Sequence, residues 1–275
     1  INACEWNFNG SLAVSACKDK KIRVIDPRHN QIVAEAEAHQ GTKAPRAIWL
    51  GNKEKILSVG FTKTSEREYA LWDPKKLSEP ITRQNIDSAS GTIMAFYDND
   101  TGLVFLAGKG DGNIRYYEVV DDATSLYYLS EFKSASPQRG GCFVPKRVLN
   151  VSDCEIVRFL KLGTKLVEPI SFQVPRKSDI FQDDLYPDCF SGEFALTADE
   201  WLSGKDANPK TASLQGGFVQ KEKSADFKPE KQAEEKQMTE KEMKEAIQNL
   251  TNRISYLEAE LVKKDARIKE LESKN

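Results

Sequence analysis

The chain has 275 residues, 40 of them basic and 42 acidic, for a formal charge of -2 at neutral pH; it lacks the positive excess that draws nucleic acid or an anionic membrane surface. An apolar content of 39% suits a folded body carrying a polar tail. With no run of eighteen apolar residues and no leader-like opening, the expectation is a soluble, non-secreted, cytosolic protein without a transmembrane segment.

From the first residues the sequence repeats. "CEWNFNG" from Cys4, "AIWLGNK" from Ala47, "MAFYDND" from Met94 and "GCFVPKR" from Gly141 place the aromatic anchors Trp6, Trp49, Phe96 and Phe143 at intervals of 43, 47 and 47 residues. Each anchor is followed by a short apolar run, a turn and a second run: "IRVIDPR", "YALWDPK", "NIRYYEV" and "PISFQVPR". Short strands at a period slightly above forty describe four-stranded propeller blades. "IVAEAEA", "ITRQN" and "LYYLSEF" supply outer strands to the first three units, but no later segment supplies one to the fourth. Together with a start in mid-pattern at Ile1, this reads as the back part of a larger ring.

The stretch "LAGKGDGNIRYYEV" from Leu106 resembles a phosphate-binding glycine loop, yet such a loop needs a helix after its glycines, and "IRYYEV" is strand-like. Asp111-Gly112 therefore predicts the turn between a blade's second and third strands, glycine providing the positive φ.

Candidate chemistry is sparse. The five cysteines are odd in number, widely spaced and without a CxxC pair, which predicts reduced thiols and no structural zinc. His39 lies in "EAHQG", where WD repeats carry a structural histidine, and His29 lies in a turn; neither has a nucleophile in its sequence context. Asp121-Asp122 and Asp183-Asp184 read as solvated loop pairs. No enzyme, metal site or cofactor is expected.

The blades, and above all "VEPISFQVPRKSDIFQDDLYPD" followed by "LTADEWLSG", closely resemble coronins, the WD-repeat actin-binding proteins. The resemblance runs from Ile1 to about Val219 and resumes in the C-terminal helix. It implies a seven-bladed all-β propeller of which about four blades are present, followed by an extension, a linker and a coiled coil. Only Trp72-Asp73 keeps the signature dipeptide; the other units carry Ile25-Asp26, Tyr117-Glu118 and Phe172-Gln173. The resemblance further implies a cortical actin cytoskeleton address, binding to the sides of actin filaments, and links to the actin-related-protein branching complex and to cofilin. Basic residues read as loop positions, Lys43, Arg46, Lys63, Arg67 and Lys109, are candidate contacts to acidic actin. A generic peptide-binding scaffold is the alternative.

The blades are assigned to residues 1–178 and the extension to 179–219, with Phe181, Tyr186, Phe190 and Trp201 expected to staple it to the propeller. Thr197-Ala198-Asp199-Glu200 reads as a capping box opening a short helix. Residues 220–238 read as a flexible linker. Over 239–275 a heptad rhythm places Ile247, Ile254, Leu261 and Ile268 at a, and Met243, Leu250, Leu257, Lys264 and Leu271 at d, a seam that no lone helix can bury. Isoleucine at a with leucine at d favours two parallel strands. Arg253 with Glu258 and Arg267 with Glu272, at g and the following e, resemble the coronin trimerisation motif and shift the expectation to a parallel homotrimer, a dimer being the alternative.

Overall fold

A computed structural model describes residues 1–120, 126–177 and 180–219. Three antiparallel four-stranded meanders follow one another. They are β1 (Ala3–Trp6), β2 (Ala13–Ala16), β3 (Lys21–Asp26) and β4 (Gln31–Glu37); β5 (Arg46–Trp49), β6 (Ile56–Phe61), β7 (Arg67–Trp72) and β8 (Thr82–Asp87); and β9 (Ile93–Asp98), β10 (Leu103–Gly108), β11 (Asn113–Glu118) and β12 (Tyr127–Lys133). A fourth sheet holds three strands, β13 (Gly140–Phe143), β14 (Glu155–Leu162) and β15 (Val167–Gln173). The four aromatic anchors fall in β1, β5, β9 and β13, and the segments expected as outer strands form β4, β8 and β12.

The second blade is buried on both faces, so its strands carry two apolar sets rather than one. Along β7 every residue is buried, and the period of two divides them. Tyr69 and Leu71 join Leu57, Val59, Val104 and Leu106 on the side of the third blade. Ala70 and Trp72 join Trp49, Ile56, Val14 and Val24 on the side of the first. Between the third and fourth blades, Phe105 packs edge-on against Phe143 and Phe172, with ring centroids 5.2 and 4.9 Å apart.

The glycine-rich stretch turns the chain, as its pattern predicts, but the positive φ falls on Gly110 (+91°), where Asp111 N–H donates to the Gly108 carbonyl at 3.1 Å. Gly112 serves another purpose. A Cβ there would lie 2.1 Å from the Ser134 carbonyl oxygen, so its bareness admits the neighbouring loop.

After β15 the chain forms the ribbon β16 (Cys189–Phe190) with β17 (Thr211–Ala212), and between them the short helix α1 (Ala198–Leu202). The Thr197 and Glu200 side chains close the capping box on each other's backbone N–H. Phe181 stacks on the buried Tyr186, which packs with its neighbour Leu185 against Val151 and Ile156 of the fourth unit. Trp201 instead reaches the first blade, its Nε1–H donating to the Gly10 carbonyl at 2.9 Å with its ring edge-on to Trp6. Phe190 departs from expectation: it stands 57% exposed, because its strand belongs to a two-stranded ribbon with an open face. The linker and coiled-coil assignments, including Met243 to Glu272, lie outside the described residues.

Candidate protein-interaction surface

The alternation along β7 aims two charged side chains in opposite directions. Glu68 faces the first blade, where its carboxylate meets His39 Nδ1 at 2.7 Å. His39 Nε2 lies 2.8 Å from Ser58 Oγ, which lies 2.8 Å from Trp72 Nε1. The ionised Glu68 carboxylate can only accept, so the neutral His39 carries its proton on Nδ1; its Nε2 then accepts from the Ser58 hydroxyl, whose oxygen accepts the Trp72 indole N–H. Burial outweighs the attraction of Glu68 and lowers the His39 pKa. Burial opposes ionisation of Glu68 too, but the hydrogen bond from His39 and the nearby Arg83 guanidinium, 2.7 Å away, hold its pKa below the usual range.

Serine, histidine and carboxylate in this order resemble a hydrolase triad. The setting is different: Ser58 and Trp72 are 0% and 1% exposed, and the indole occupies the serine oxygen from the other side. The chain of bonds joins the loop after β4 to strands β6 and β7, tying one blade to the next. Sequence context offered His39 and Trp72; Ser58 and Glu68 lack a local signature, since only sheet register brings them together.

Arg67 faces the third blade. Its Nε and Nη2 both meet the Asp87 carboxylate at 2.5 Å, and its Nη1 reaches Asp111 Oδ2 at 2.7 Å. Arg115 adds a bond to Asp87 at 2.5 Å. Burial alone would raise the Asp87 pKa, but the hydrogen bonds from Arg67, the Ala89 backbone N–H and Arg115 outweigh it and push it down to about 2. As a surface contact Arg67 is corrected: it is a strand residue, 1% exposed, with its donors engaged.

The other four basic candidates share one end of the blades. Strand β5 begins at Arg46 beside the end of β6, so the turns after β6 and β10 and the loops entering β5 and β9 lie at the same end. Lys63 and Lys109 are exposed on those turns. Lys43 is half-buried, its Nζ donating to the Ser90 carbonyl at 2.5 Å and lying 4.6 Å from the Phe61 ring centroid. Arg46 is exposed at the start of β5. Topology thus gathers residues spread over 67 positions onto one rim.

Other chemistry is limited. The five cysteines are free thiols. Among the described residues no three His, Cys, Asp or Glu side chains are grouped to hold a metal ion, and no helix is long and apolar enough to cross a membrane.

Consecutive four-stranded meanders, tied through the loop histidine to a serine and a tryptophan, define a WD-repeat β-propeller protein. A family model described as a type of WD40 repeat matches residues 167–209. Coronin-A of Dictyostelium discoideum is 58% identical over 271 residues, covering 98% of this chain and 60% of that protein. The WD40 domain of Toxoplasma gondii coronin, known from a crystal structure, superposes with a TM-score of 0.73 at 34% identity, over 77% of this chain and 55% of the other. The chain belongs to the coronin family and spans about three fifths of the length of the curated relative it matches.

Proposed function

We propose that the chain is part of a non-enzymatic regulator of the actin cytoskeleton, acting in the cytoplasm at the cell cortex. The propeller binds the sides of actin filaments, and the C-terminal heptads gather three copies. Three weak contacts joined through linkers raise avidity by effective concentration and allow bridging between filaments. Branching control and filament turnover, through the actin-related-protein complex and cofilin, are the wider activities of this reading. The observation that carries it is 58% identity to Coronin-A across nearly the whole chain. The rim bearing Lys43, Arg46, Lys63 and Lys109 is the favoured filament-facing surface, its charge complementing acidic actin.

Cosedimentation of the full-length protein with filamentous actin tests this. Pelleting with filaments, weakened by charge reversal at Lys43, Lys63 and Lys109, is expected. Retention of the unaltered protein in the supernatant favours a scaffold for other partners.

A further inference from the structure

The loop between β12 and β13 carries "SASPQR", Ser134 to Arg139. Proline directly after a serine, with arginine two places further on, is the pattern that proline-directed protein kinases read. Proline has no backbone N–H, so it enters a pocket where any other residue would leave that donor without an acceptor. The arginine meets a phosphate or carboxylate of the kinase.

The fold presents this pattern outward. Ser136, Pro137 and Arg139 are exposed, and only Gln138 among these four is buried, at 0% exposure. Its Nε2 donates to the Gly108 and Asn113 carbonyls at 3.0 and 2.8 Å. Its backbone N–H donates to the Asp111 carbonyl at 2.8 Å, and its carbonyl accepts from Gly110 N–H at 2.7 Å. Gln138 is therefore the anchor, and the three residues a kinase reads stay on the solvent side. The Ser136–Pro137 bond is trans. Ser136 uses its backbone N–H, on Ser134 Oγ at 3.2 Å, but its hydroxyl and the Arg139 guanidinium make no bond among the described residues, so engaging them breaks no internal contact of either group.

Placement gives a modification here a consequence. Strand β13 begins at Gly140 beside Leu162, the end of β14, so this loop lies on the same rim as Lys63 and Lys109. The bonds from Gln138 to Gly110 and Asp111 hold it against the turn that bears Lys109. Asp111 and Asp87 are held inward by Arg67 and Arg115 and do not offset the rim's lysines. A phosphate on Ser136 would, bringing about 1.5 to 2 negative charges and three strong acceptor oxygens.

We propose that Ser136 is the acceptor of a proline-directed protein kinase and that its phosphorylation weakens the rim's hold on an acidic partner. The Ser136 oxygen bonds to the γ-phosphorus of ATP, the bond from that phosphorus to the bridging oxygen breaks to release ADP, and the hydroxyl proton passes to the kinase's catalytic aspartate. The phosphoserine draws on Lys109 and repels acidic surfaces. The effect on binding rests on the filament-facing reading of the rim; the modification itself does not.

Incubation of the full-length protein with a purified cyclin-dependent kinase and ATP, with phosphate located by mass spectrometry, tests the modification. Expected is phosphate on Ser136, its absence in Ser136→Ala, and rates at this site lower by about tenfold or more in Pro137→Ala and Arg139→Ala. Phosphorylated protein should then pellet with filamentous actin about fivefold more weakly than unmodified protein, the difference fading by about 0.5 M salt. No phosphate on Ser136, or an equal rate in Pro137→Ala, overturns the proposal whatever the filaments do. Equal pelleting of the phosphorylated and unmodified forms overturns the effect on binding. If neither form pellets, the filament reading fails, and retention on immobilised poly-glutamate decides the effect: earlier elution of the phosphorylated form supports it and co-elution overturns it.

Discussion

Arg67 of the second blade bonds Asp111 of the third, Nη1 to Oδ2 at 2.7 Å, while its other edge clasps Asp87 of its own blade. A buried guanidinium thus holds two carboxylates from adjacent sheets together. Arg67→Ala removes the only cation bonded to Asp111 among the described residues, leaves Asp87 with Arg115 and the Ala89 N–H and opens a cavity. Breaking such a pair costs about 3 kcal/mol. Arg67→Lys keeps the charge without the two-pronged geometry and should cost less. Thermal unfolding of both variants beside the parent checks the order.

The same clamp sets an acid sensitivity. Asp87 has its pKa pushed down from 3.8 to about 2 in the folded chain. Because the folded value lies below the unfolded one, the stabilisation is complete above about pH 4 and fades as the pH falls towards 2, amounting to about 2 kcal/mol. The stability difference between the parent and Asp87→Asn should therefore narrow across that window. A constant gap in acid denaturation would contradict it.

His39 is held neutral by burial, its pKa lowered. A depressed folded pKa means that its stabilisation is present above about pH 6.5 and lost as the pH falls below it. Nitrogen NMR of His39 should show the Nδ1–H tautomer at pH 7. Ser58→Ala strands both His39 Nε2 and Trp72 Nε1, at a cost of about 2 kcal/mol. Melting temperatures of the parent, Ser58→Ala and His39→Gln between pH 5 and 8 separate the two effects.

Trp201 anchors the extension on the first blade through the Gly10 carbonyl, and the Arg28 guanidinium lies 5.4 Å from its ring centroid while bonding Asp206 at 2.8 Å. Trp201→Ala should free residues 197–209 from that blade, at a cost of about 3 kcal/mol. Limited proteolysis is expected to cut this stretch faster in the variant, with Arg28→Ala between variant and parent. Unchanged cleavage would mean that Tyr186 and the β16–β17 ribbon suffice to hold it.

For residues 239–275, sedimentation equilibrium of the isolated segment should give a trimer. Replacing Arg253 and Arg267 by alanine should shift it towards smaller species, because the arginine stems cover the seam. A stable parent dimer would reject the trimer.

Much of this architecture was legible because blade strands are local. The anchors, the third-strand runs and the turns recur at a fixed period, and burial on both faces leaves continuous apolar runs such as "YALW". What the sequence hid was long-range. Glu68 and Arg67 are neighbours in the chain, yet one meets His39 and the other Asp111 because strand alternation sends them to opposite blades. Arg67 read as a loop cation since charge in a polar stretch is normally solvated; only the stacking of blades buries it. Phe190 read as a staple by residue type, but a two-stranded ribbon gave it nothing to pack under.

The most direct measurement of a multivalent filament binder is cosedimentation of the full-length protein with filamentous actin, with and without the segment equivalent to residues 239–275. Loss of the segment should weaken apparent binding by about a hundredfold while leaving some pelleting at high concentration. Equal binding by both forms, or no binding by either, would contradict it.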